Sequence, residues 1–600
     1  MKILGISCYY HDAAAVLLNN GKIIAAGEEE RFSRKKHDSS FPKKAIDFCL
    51  KEGGITSEQI DYVVFYEKPF RKFHRILISA FSTYPFSYLM FREAMRVWLT
   101  QKLWIKEEIA SYLKVEKTKI LFSEHHLSHA AGAFYPSPFK KAAIMTVDGV
   151  GEWTTASIGI GEENKIKIIK EIYFPYSLGL LYSAFTAFLG FEVNEGEWKV
   201  MGLAPYGKPR WVDKIWRIVK LHNDGSFSLD FSYFTFQYSD KHSYSNKFID
   251  LFGKPVQPAK SYLVTKKAAD IAASIQVVTE EILLNMAYAL KKETKTDVLC
   301  LSGGVALNCV ANYRILKEAG FKNIYIQPAA GDSGGAMGAA LYAYHHVLDN
   351  KKRKILSDAY LGQKWDNESI EQFLKKENIK YKKLTDEKLV DFIASAIIKK
   401  RVVGWMQGRS EWGPRALGNR SILADARNPK MKDIINAKVK FREAFRPFAP
   451  SVLAEKADMV FDMSNIAGSA KGRSPKSAKV TSAIGKEIRD RNRNDLVNHY
   501  PLRFMLYVVP VKKEWQRKVP AINHADNTAR PQLVFKETNP LYYKLISAFY
   551  KKTGVPLLLN TSFNLKGEPM VNTPADAYST FMRSGIDMLV MGNFVINKSE

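Results

Sequence analysis

The stretch that decides the fold of this 600-residue chain is residues 2–30, KILGISCYYHDAAAVLLNNGKIIAAGEEE. Its apolar runs KILGISC and AAAVLL predict two strands, and Asn19-Asn20-Gly21 is typical of the tight turn of a β-hairpin. The run KIIAAGEEE predicts a third strand. The same layout recurs at 142–172, where AAIMTVDG, TTASIGIG and KIKIIKEI predict three more strands joined by Gly-rich turns. The sequence therefore predicts an α/β fold with two similar halves, each of which opens with a β-meander.

Two strand–glycine–helix units follow the second meander. They are VLCLSGGVALN (298–308) and NIYIQPAAGDSGGAMGAALYAYHHV (323–347). Gly-rich turns between a strand and a helix bring backbone N–H groups close to a phosphate or a ribose. Neither unit contains the G-x-x-x-x-G-K-[ST] pattern of a P-loop. Paired halves whose polar turns face each other across a nucleotide cleft are the architecture of the actin, sugar-kinase and heat-shock ATPase superfold, which we predict for residues 1–355.

Length and composition indicate a globular chain with more than one core. The polar, basic segment 350–361 marks the predicted boundary, and VVGWM (402–406) begins an α/β unit within a second domain, 356–600. Residues 464–498 have few large apolar side chains, so we predict a flexible basic insertion there. The formal net charge is +28, and because the lysines are spread along the whole chain we attribute it mainly to a Lys-rich composition. The four cysteines form no C-x-x-C pair, which excludes a disulfide scaffold and favours a cytoplasmic location.

The apolar stretch from Phe73 to Trp104 is interrupted by five charged residues, so no segment reaches the length of a membrane span. We predict helices packed on a core, with a pair of surface-binding helices as the alternative. The start MKILGISC resembles a secretion signal, but His11 and Asp12 interrupt it at once. We therefore expect no membrane partner, and a homodimer that buries these apolar helices.

A metal site is predicted from HHLSHAAG. His125 and His129 are four residues apart, which places both imidazoles on one helical face. Asp148, at the end of the TVDG strand, and Asp332, in the GDSGG turn, are available acidic ligands. Two imidazoles and two carboxylates suit iron, manganese or zinc better than magnesium.

Two further groups of residues are candidates for chemistry. His11-Asp12 lies in the first tight turn, where either Asp12 caps backbone N–H groups or the histidine is a general base near an acceptor hydroxyl. In the second domain, Arg409, Arg415 and Arg420 crowd a Gly/Pro-rich stretch, and Lys440, Arg442, Arg446 and Arg530 follow. Converging arginines favour an anionic ligand such as a nucleotide or an acyl phosphate, and the alternative is a solvated basic face. The strand LLLNTS (557–562) ends in hydroxyls that could face such a ligand.

Ordered motifs along nearly the whole chain resemble those of the NodU/CmcH/TobZ O-carbamoyltransferases. They are GISCYYHDAAAVLL with EEERFSRKKH, HHLSHAAGAFYPSPF, TVDGVGEW, GEWKVMGLAPYG, LSGGVALN, GDSGGAMGAAL, GPRALGNRSI, REAFRPFAPSV, TARPQLV and LLNTSFNLKGEPMV. The resemblance implies a tRNA-threonylcarbamoyl-transferase-like first domain and a YrdC-like second domain. It also implies that carbamoyl phosphate and ATP yield a carbamoyl-adenylate and pyrophosphate, after which a hydroxyl acceptor takes the carbamoyl group and AMP leaves.

The resemblance implies roles for individual residues as well. It implies Fe(II), or another divalent metal, at His125, His129, Asp148 and Asp332, with Mg²⁺ accompanying ATP. It implies that His11, beside Asp12, removes the proton from the acceptor hydroxyl. It also implies that Lys36 lies near the adenylate or the acceptor. The positions matching the carbamoyl phosphate and ATP site are Arg415, Lys440, Arg446, Arg530 and Ser562. Those matching the adenosine side of the first site are Gly303, Gly304 and Asn308.

Rival functions differ in their partners. A tRNA threonylcarbamoyl-type enzyme shares the first domain's motifs and fits the charge, but the second half of the chain follows the small-molecule pattern. A hydrogenase-maturation enzyme of the HypF kind carries zinc C-x-x-C motifs, which this sequence lacks. A nucleic-acid-binding protein needs aromatic and basic residues on a recognisable platform, and we find none. We therefore expect a small-molecule hydroxyl acceptor and no nucleic-acid partner.

Overall fold

The computed structural model describes residues 1–239, 242–257, 264–466 and 500–598. Most of the predicted insertion, 467–498, lies outside these residues, so its flexibility stays a prediction. All four cysteines are buried and unpaired, which agrees with the exclusion of a disulfide scaffold.

The opening stretch forms the predicted meander. Gly21, with φ +73°, makes the turn between the second and third strands. The first strand pairs antiparallel with the second and parallel with the fourth. The resulting five-stranded sheet has the order β3-β2-β1-β4-β5. Its strands are β1 Lys2–Ser7, β2 Ala14–Asn19, β3 Lys22–Glu28, β4 Tyr62–Phe65 and β5 Ile120–Phe122.

A second five-stranded sheet repeats this order. Its strands are β6 Lys141–Val147, β7 Thr154–Glu162, β8 Lys165–Tyr173, β11 Val298–Ser302 and β12 Asn323–Ile326, and a separate hairpin consists of β9 Val219–Leu221 and β10 Phe227–Leu229. The sheet order is β12-β11-β6-β7-β8, again a meander followed by two parallel strands beside its first strand. The duplicated topology confirms the predicted actin/sugar-kinase/heat-shock ATPase architecture.

Helices link and separate these two sheets. They are α1 Glu29–Ser33, α2 Lys43–Gly53, α3 Pro69–Ser82, α4 Tyr88–Thr100, α5 Ile105–Leu113, α6 His125–Phe134, α7 Leu178–Phe188, α8 Glu197–Leu203, α9 Val212–Trp216, α10 Asn246–Phe252, α11 Lys266–Thr294, α12 Cys309–Glu318 and α13 Ser333–Tyr342. At the crossing of α6 and α13, a Cβ on Gly338 would lie 1.7 Å from the Ser128 carbonyl oxygen. Only glycine permits this close approach, which brings the two histidines of α6 towards the beginning of α13.

The second domain is built on an eight-stranded mixed sheet of order β13-β22-β21-β14-β15-β20-β16-β19. Its strands are β13 Lys382–Lys383, β14 Val403–Met406, β15 Arg420–Ala424, β16 Ala449–Leu453, β19 Gln532–Val534, β20 Leu557–Ser562, β21 Met588–Met591 and β22 Phe594–Asn597, with a short pair β17 Val509–Pro510 and β18 Thr528–Ala529. Its helices are α14 Asn367–Lys376, α15 Asp386–Ile398, α16 Met431–Ile435, α17 Ala457–Val460, α18 Tyr500–Arg503, α19 Lys513–Gln516, α20 Pro540–Thr553 and α21 Pro574–Met582. An α/β second domain was predicted, and the structure confirms it.

Helices α3 and α4 depart from the prediction of helices packed on a core. They form a hairpin in which Trp98 is buried, whereas Phe81 and Phe86 are 70% and 76% exposed. Among the residues that the structure describes, no helix combines the length and the apolar character needed to cross a bilayer.

Candidate functional site

Three segments meet at one edge of the second sheet. Asp148 follows β6, Gly303 and Gly304 follow β11, and Asp332 lies at the beginning of α13. Because β6 and β11 are parallel neighbours, their following loops leave the sheet at the same edge. Helix α6 packs against this edge, so residues far apart in the sequence come together.

The predicted metal ligands form one compact buried group. The Nε2 atoms of His125 and His129 are 3.1 Å apart, and Asp148 Oδ2 lies 3.0 and 3.3 Å from them. Asp332 Oδ1 lies 3.5 and 3.4 Å from the same two nitrogens. All four ligand atoms lie within 4.8 Å of one another, and both histidines are fully buried. The structure therefore brings together the four residues that the sequence selected.

This donor set fits a first-row divalent metal. Adjacent ligands on a metal with bonds of about 2.1 Å are separated by about 3.0–3.4 Å, close to the observed separations. Asp332 Oδ2 is buried without a hydrogen-bond partner, so the group has an unused anionic oxygen. Burial alone would lower the pKa of His125, but Asp332, Asp148 and Glu67 raise it. The carboxylates thus stabilise a proton on the imidazole, and a divalent cation that binds the group displaces such a proton.

A buried ion pair supports the metal group from the side of the first sheet. Glu67 Oε2 lies 2.7 Å from Lys72 Nζ and 3.8 Å from His125 Nδ1. Burial raises the pKa of Glu67, but Lys72 and His125 outweigh it and lower the pKa to about 2. At 3.8 Å the Glu67 carboxylate makes no hydrogen bond to His125 Nδ1, but its negative charge favours the protonated imidazole. Sequence reasoning missed this pair, although Glu67 follows the buried strand β4 as Asp148 follows β6.

Gly303 holds the loop that supports Asp148. Its φ is +95°, and a Cβ there would lie 2.2 Å from the Val147 carbonyl oxygen. The next residue, Gly304, donates its N–H to Asp148 Oδ1 at 3.1 Å. Asn308 caps α12 through Ala311 N–H, and its side chain also bonds Gln276. The predicted adenosine-side residues thus adjoin the metal group.

We expect Gly303→Ala to lower the free energy of unfolding by about 2–4 kcal/mol, because the new Cβ adds a clash to an unfavourable φ. Gly567→Ala is the matched control, since Gly567 has φ +79° but open space around its Cβ position. It should cost only about 1 kcal/mol. Denaturant titration of both variants checks the difference, and equal losses would contradict the role assigned to the Val147 contact.

The predicted catalytic turn lies next to the metal group. Residues 8–13 connect β1 to β2, and the Tyr10 and His11 rings are 4.4 Å apart. Burial raises the pKa of Tyr10, and the charges of Asp332 and Asp148 raise it further. His11 Nε2 is buried and has no hydrogen-bond partner among the described residues. Tyr10, which sequence reasoning passed over, thus contacts His11 and lies within the electrostatic influence of the acidic ligands.

Asp12 binds a histidine that sequence reasoning did not select. Its Oδ1 lies 2.8 Å from His37 Nδ1, and both residues have positive φ, +43° and +54°. Two backbone bonds, Tyr9 N–H to Ser39 and Ala13 N–H to Asp38, dock the two segments on each other. The Asp12 carboxylate therefore binds an imidazole rather than the backbone N–H groups of the turn, and the reading of His11 as a general base stays a prediction.

The Asp12–His37 contact makes stability depend on pH. The hydrogen bond to Asp12 raises the pKa of His37, so the stabilisation is complete below the ordinary histidine pKa of about 6.5 and is lost as pH rises through the raised value. We expect His37→Asn to destabilise the protein at pH 6, by less than about 1 kcal/mol because the pair is one-third exposed, and not at pH 9. Thermal denaturation at both pH values tests this, with His74→Asn as control. Equal shifts at both pH values would contradict it.

The basic residues of the second domain form a second buried group. Lys440 Nζ donates to Ser562 Oγ at 3.1 Å and to Asn564 Oδ1 at 2.7 Å. Burial lowers the pKa of Lys440, and Arg442, Arg446 and Lys36 lower it further. Among the described residues, Lys440 makes no ion pair with a carboxylate. A buried ammonium held by neutral oxygens and surrounded by cations favours an anionic ligand.

Arg446 joins this cationic group to the first domain. Its guanidinium carbon lies 3.7 Å from the centre of the Trp198 ring on α8. Its Nη1 donates to Glu443 at 3.2 Å, and Glu443 also lies 3.9 Å from Lys199 of α8. Burial lowers the pKa of Arg446 to about 10. The cationic group therefore packs against the first domain through helix α8.

Lys36 and Arg415 lie on the two sides of this junction. Lys36 contacts Glu195. Burial lowers the pKa of Lys36, and the charges of Lys199 and Arg446 lower it further, whereas Glu30 raises it. Burial and the charge of Arg530 lower the pKa of Arg415 to about 9. The structure thus brings Lys36, Lys440 and Arg446 together where the second domain meets α8, and Arg415 lies near Arg530.

Two other arginines serve the fold rather than a ligand. Arg420 is 1% exposed and donates to the backbone carbonyls of Gln407, Gly408, Gln363 and Asn419. Arg409 donates to the carbonyls of Gly362, Ile24 and Leu361. Their backbone acceptors occupy the guanidinium donors, so including them among converging ligand-binding arginines was wrong.

Comparison with known proteins identifies the family. A family model described as the carbamoyltransferase N-terminus matches residues 2–341, and one described as the carbamoyltransferase C-terminus matches 394–598. The chain belongs to the carbamoyltransferase family. It is therefore an enzyme of carbamoyl transfer, and the resemblance to NodU- and CmcH-type proteins is confirmed.

Relatives of this carbamoyltransferase cover most or half of its length. It is 35% identical over 606 residues to nodulation protein NolNO of Sinorhizobium fredii. That alignment covers 98% of this chain and 79% of the relative. It is 29% identical over 314 residues to the 3'-hydroxymethylcephem-O-carbamoyltransferase of Streptomyces clavuligerus. That alignment covers 52% of this chain and 51% of the relative. An uncharacterized Synechocystis protein is 48% identical over 612 residues, with 100% and 97% covered. The solved structure of HypF from T. kodakarensis aligns with 59% of this chain and 49% of its own, at a TM-score of 0.31 and 14% identity, which supports no functional comparison.

Proposed function

We propose that this carbamoyltransferase transfers a carbamoyl group to a hydroxyl of a small-molecule acceptor in two half-reactions. The YrdC-like second domain, 356–600, forms a carbamoyl-adenylate, and the first domain, 1–355, transfers its carbamoyl group. The first half-reaction begins when carbamoyl phosphate and water give carbamate and inorganic phosphate. A carbamate oxygen then attacks the α-phosphorus of ATP, and pyrophosphate leaves.

In the first half-reaction, the second domain binds carbamoyl phosphate and ATP, which carries Mg²⁺. The residues that bind them are Arg415, Lys440, Arg446, Arg530 and Ser562. The observation that supports this is the buried cationic group at the domain junction, in which Lys440 has no carboxylate partner among the described residues. Phosphate oxygens would supply the missing negative charge and accept the guanidinium N–H groups bidentately. A solvated basic face does not explain a Lys440 that is only 4% exposed.

In the second half-reaction, the Gly303–Gly304 loop and Asn308 hold the adenosine side of the adenylate. The Asn308 amide nitrogen donates one hydrogen to Gln276, and its Oδ1 accepts from Ala311 N–H in the first turn of α12, so one amide hydrogen is left for a ligand. The acceptor oxygen attacks the carbamoyl carbon while His11 Nε2, which is unpartnered, takes its proton. Asp12 acts on the same turn through His37, and Lys36 lies between this turn and the cationic group.

The group of His125, His129, Asp148 and Asp332 would hold the metal, for which we propose Fe(II). Bound there, the metal would supply positive charge beside the phosphate of the departing AMP. The chain's own contribution is to keep this charge next to Gly303, Gly304 and His11 in a buried setting, where electrostatic stabilisation is stronger than in water.

The enclosed junction supports passage of the adenylate between the two sites. Lys36 and Lys199 flank the route from Lys440 and Arg446 to the His11 turn, and both are half-buried. Their positive charges attract the phosphate along this route. Carbamoyl phosphate and its adenylate react with water, so a covered route limits their loss.

The experiment that tests this function uses the full-length enzyme with carbamoyl phosphate, ATP, Mg²⁺ and Fe(II), without acceptor. We expect pyrophosphate and inorganic phosphate in equal amounts, with an adenylate detectable by mass spectrometry. Both products should depend on carbamoyl phosphate and be lost in Arg446→Ala. Hydroxyl compounds, among them a hydroxymethylcephem because of the relative above, are then screened as acceptors. No pyrophosphate with metal present would overturn the proposal, and tRNA copurifying with the protein, seen as excess ultraviolet absorbance, would favour the threonylcarbamoyl-type alternative.

A further inference from the structure

The helical hairpin α3–α4 carries an unusual concentration of exposed apolar side chains. Of the twenty large apolar side chains that are exposed in the described part of the chain, nine lie between residues 70 and 104. We call residues 78–89 the aromatic tip; its exposed members are Ile78, Phe81, Tyr84, Phe86, Tyr88 and Leu89. Contiguous exposed apolar surface of this kind marks an interaction site in a protein that otherwise buries such residues.

Charge around the aromatic tip indicates what it binds. Residues 68–106 contain eight Lys and Arg but only one acidic residue, Glu93. At the base of the hairpin, Lys68 and Arg71 pair with Glu124 and Lys72 pairs with Glu67. Nearer the tip, Arg92 and Arg96 lie on exposed positions, and Arg96 lies 3.1 Å from Glu93. Phe, Tyr and Leu on one surface with Lys and Arg beside them are typical of helices that lie in the interface of an anionic bilayer.

A second copy of the chain fits this surface less well. A two-fold dimer places the same patch on both subunits face to face. The excess positive charge of one hairpin would then oppose that of the other, with Glu93 as the single acidic residue in each stretch. Anionic lipid headgroups complement the same charge, and acyl chains accept the aromatic tip.

The base of the hairpin rests on the candidate active site. Lys102 Nζ donates to the Tyr9 carbonyl at 2.6 Å, and Lys72 Nζ lies 4.7 Å from the centre of the Tyr10 ring. Arg75 Nη1 donates to the Gly151 carbonyl at 2.9 Å. The α3–α4 hairpin therefore connects the aromatic tip to the His11 turn.

We propose that the α3–α4 hairpin docks this enzyme on the surface of an anionic membrane through its aromatic tip and the neighbouring arginines. The expectation of no membrane partner rested on the lack of a spanning segment, which does not bear on surface binding. Docking turns the active-site side of the first domain towards the bilayer. The inference does not depend on the proposed carbamoylation, because it concerns binding alone.

The test is flotation of the full-length protein with phosphatidylcholine vesicles that contain or lack phosphatidylglycerol, at low and high salt. We expect binding only with phosphatidylglycerol, weakened by salt. Phe81→Ser/Phe86→Ser should weaken it at least about tenfold, and Arg92→Glu/Arg96→Glu should do the same. The matched control is Tyr288→Ser/Met582→Ser, two exposed apolar residues elsewhere, which should bind as the unaltered protein does.

Circular dichroism and the thermal unfolding midpoint serve as the check that each variant is folded, so the test stays independent of the proposed carbamoylation. Absence of vesicle binding by the unaltered protein, or equal binding by the tip and control variants, would overturn the inference. So would a dimer, measured by analytical ultracentrifugation, that the tip variant dissociates while no protein binds vesicles, because the second copy would then cover the tip.

Discussion

His129→Gln is expected to remove the bound metal and to lower carbamoyl transfer to the acceptor about a thousandfold or more, while pyrophosphate release without acceptor stays near its original rate. His129 supplies one of four ligand atoms in a group that is buried and compact, and glutamine fills similar space without an imidazole nitrogen. Loss of a metal that stabilises developing charge costs several kcal/mol in the transition state, which is a factor of this size. In the proposed function the first half-reaction uses residues of the second domain, so we expect it to proceed.

His126→Gln is the matched control for this prediction. His126 lies on the same helix and is buried, but its Nδ1 contacts Thr146 Oγ1 at 2.6 Å rather than the ligand group. It should keep its metal, measured by inductively coupled plasma mass spectrometry, and most of its transfer activity. Retention of both metal and transfer by His129→Gln would show that the ligand set is misassigned.

The metal group was predictable because strong local rules place its members. Helical spacing puts His125 and His129 on one face, and parallel strands put Asp148 and the Gly303 loop at one sheet edge. Once the duplicated meander was recognised, these loops had to meet. The contact of Asp12 with His37 follows no such rule, because it depends on how residues 8–13 dock on residues 37–39.

Other misses have the same physical origin. An arginine in a Gly-rich loop has the same appearance in the sequence whether it binds a ligand or backbone carbonyls, and Arg420 binds carbonyls because its loop folds around it. Hydrophobic periodicity likewise identifies an apolar helix face but not whether anything covers it. For this reason α3 and α4 were predicted as packed helices, whereas their tip is exposed.

Lys440→Met is expected to lower carbamoyl-phosphate-dependent pyrophosphate release at least about a hundredfold without loss of thermal stability. The buried ammonium has no carboxylate partner among the described residues, and Arg442, Arg446 and Lys36 repel it, so the ligand-free protein gains little from its charge. Replacing a buried charge by an apolar side chain of similar volume is often neutral or stabilising. Ser562 Oγ and Asn564 Oδ1 keep each other as partners at 2.7 Å after the substitution. The carbonyls of Ser562 and Asn564 lose the ammonium as a donor, and we expect this cost to offset the relief of charge repulsion.

In the proposed function, Lys440 adds little to the stability of the ligand-free protein and contributes to the binding of the anionic substrate. Arg427→Met is the matched control, because Arg427 belongs to the same domain but pairs with Asp425 at 2.7 Å. It should lose some stability and retain pyrophosphate release, the opposite of Lys440→Met. Both variants should keep the metal, since neither lies in the first domain. If Lys440→Met instead unfolds readily and still releases pyrophosphate, the lysine is structural, and the anionic substrate binds elsewhere on the junction.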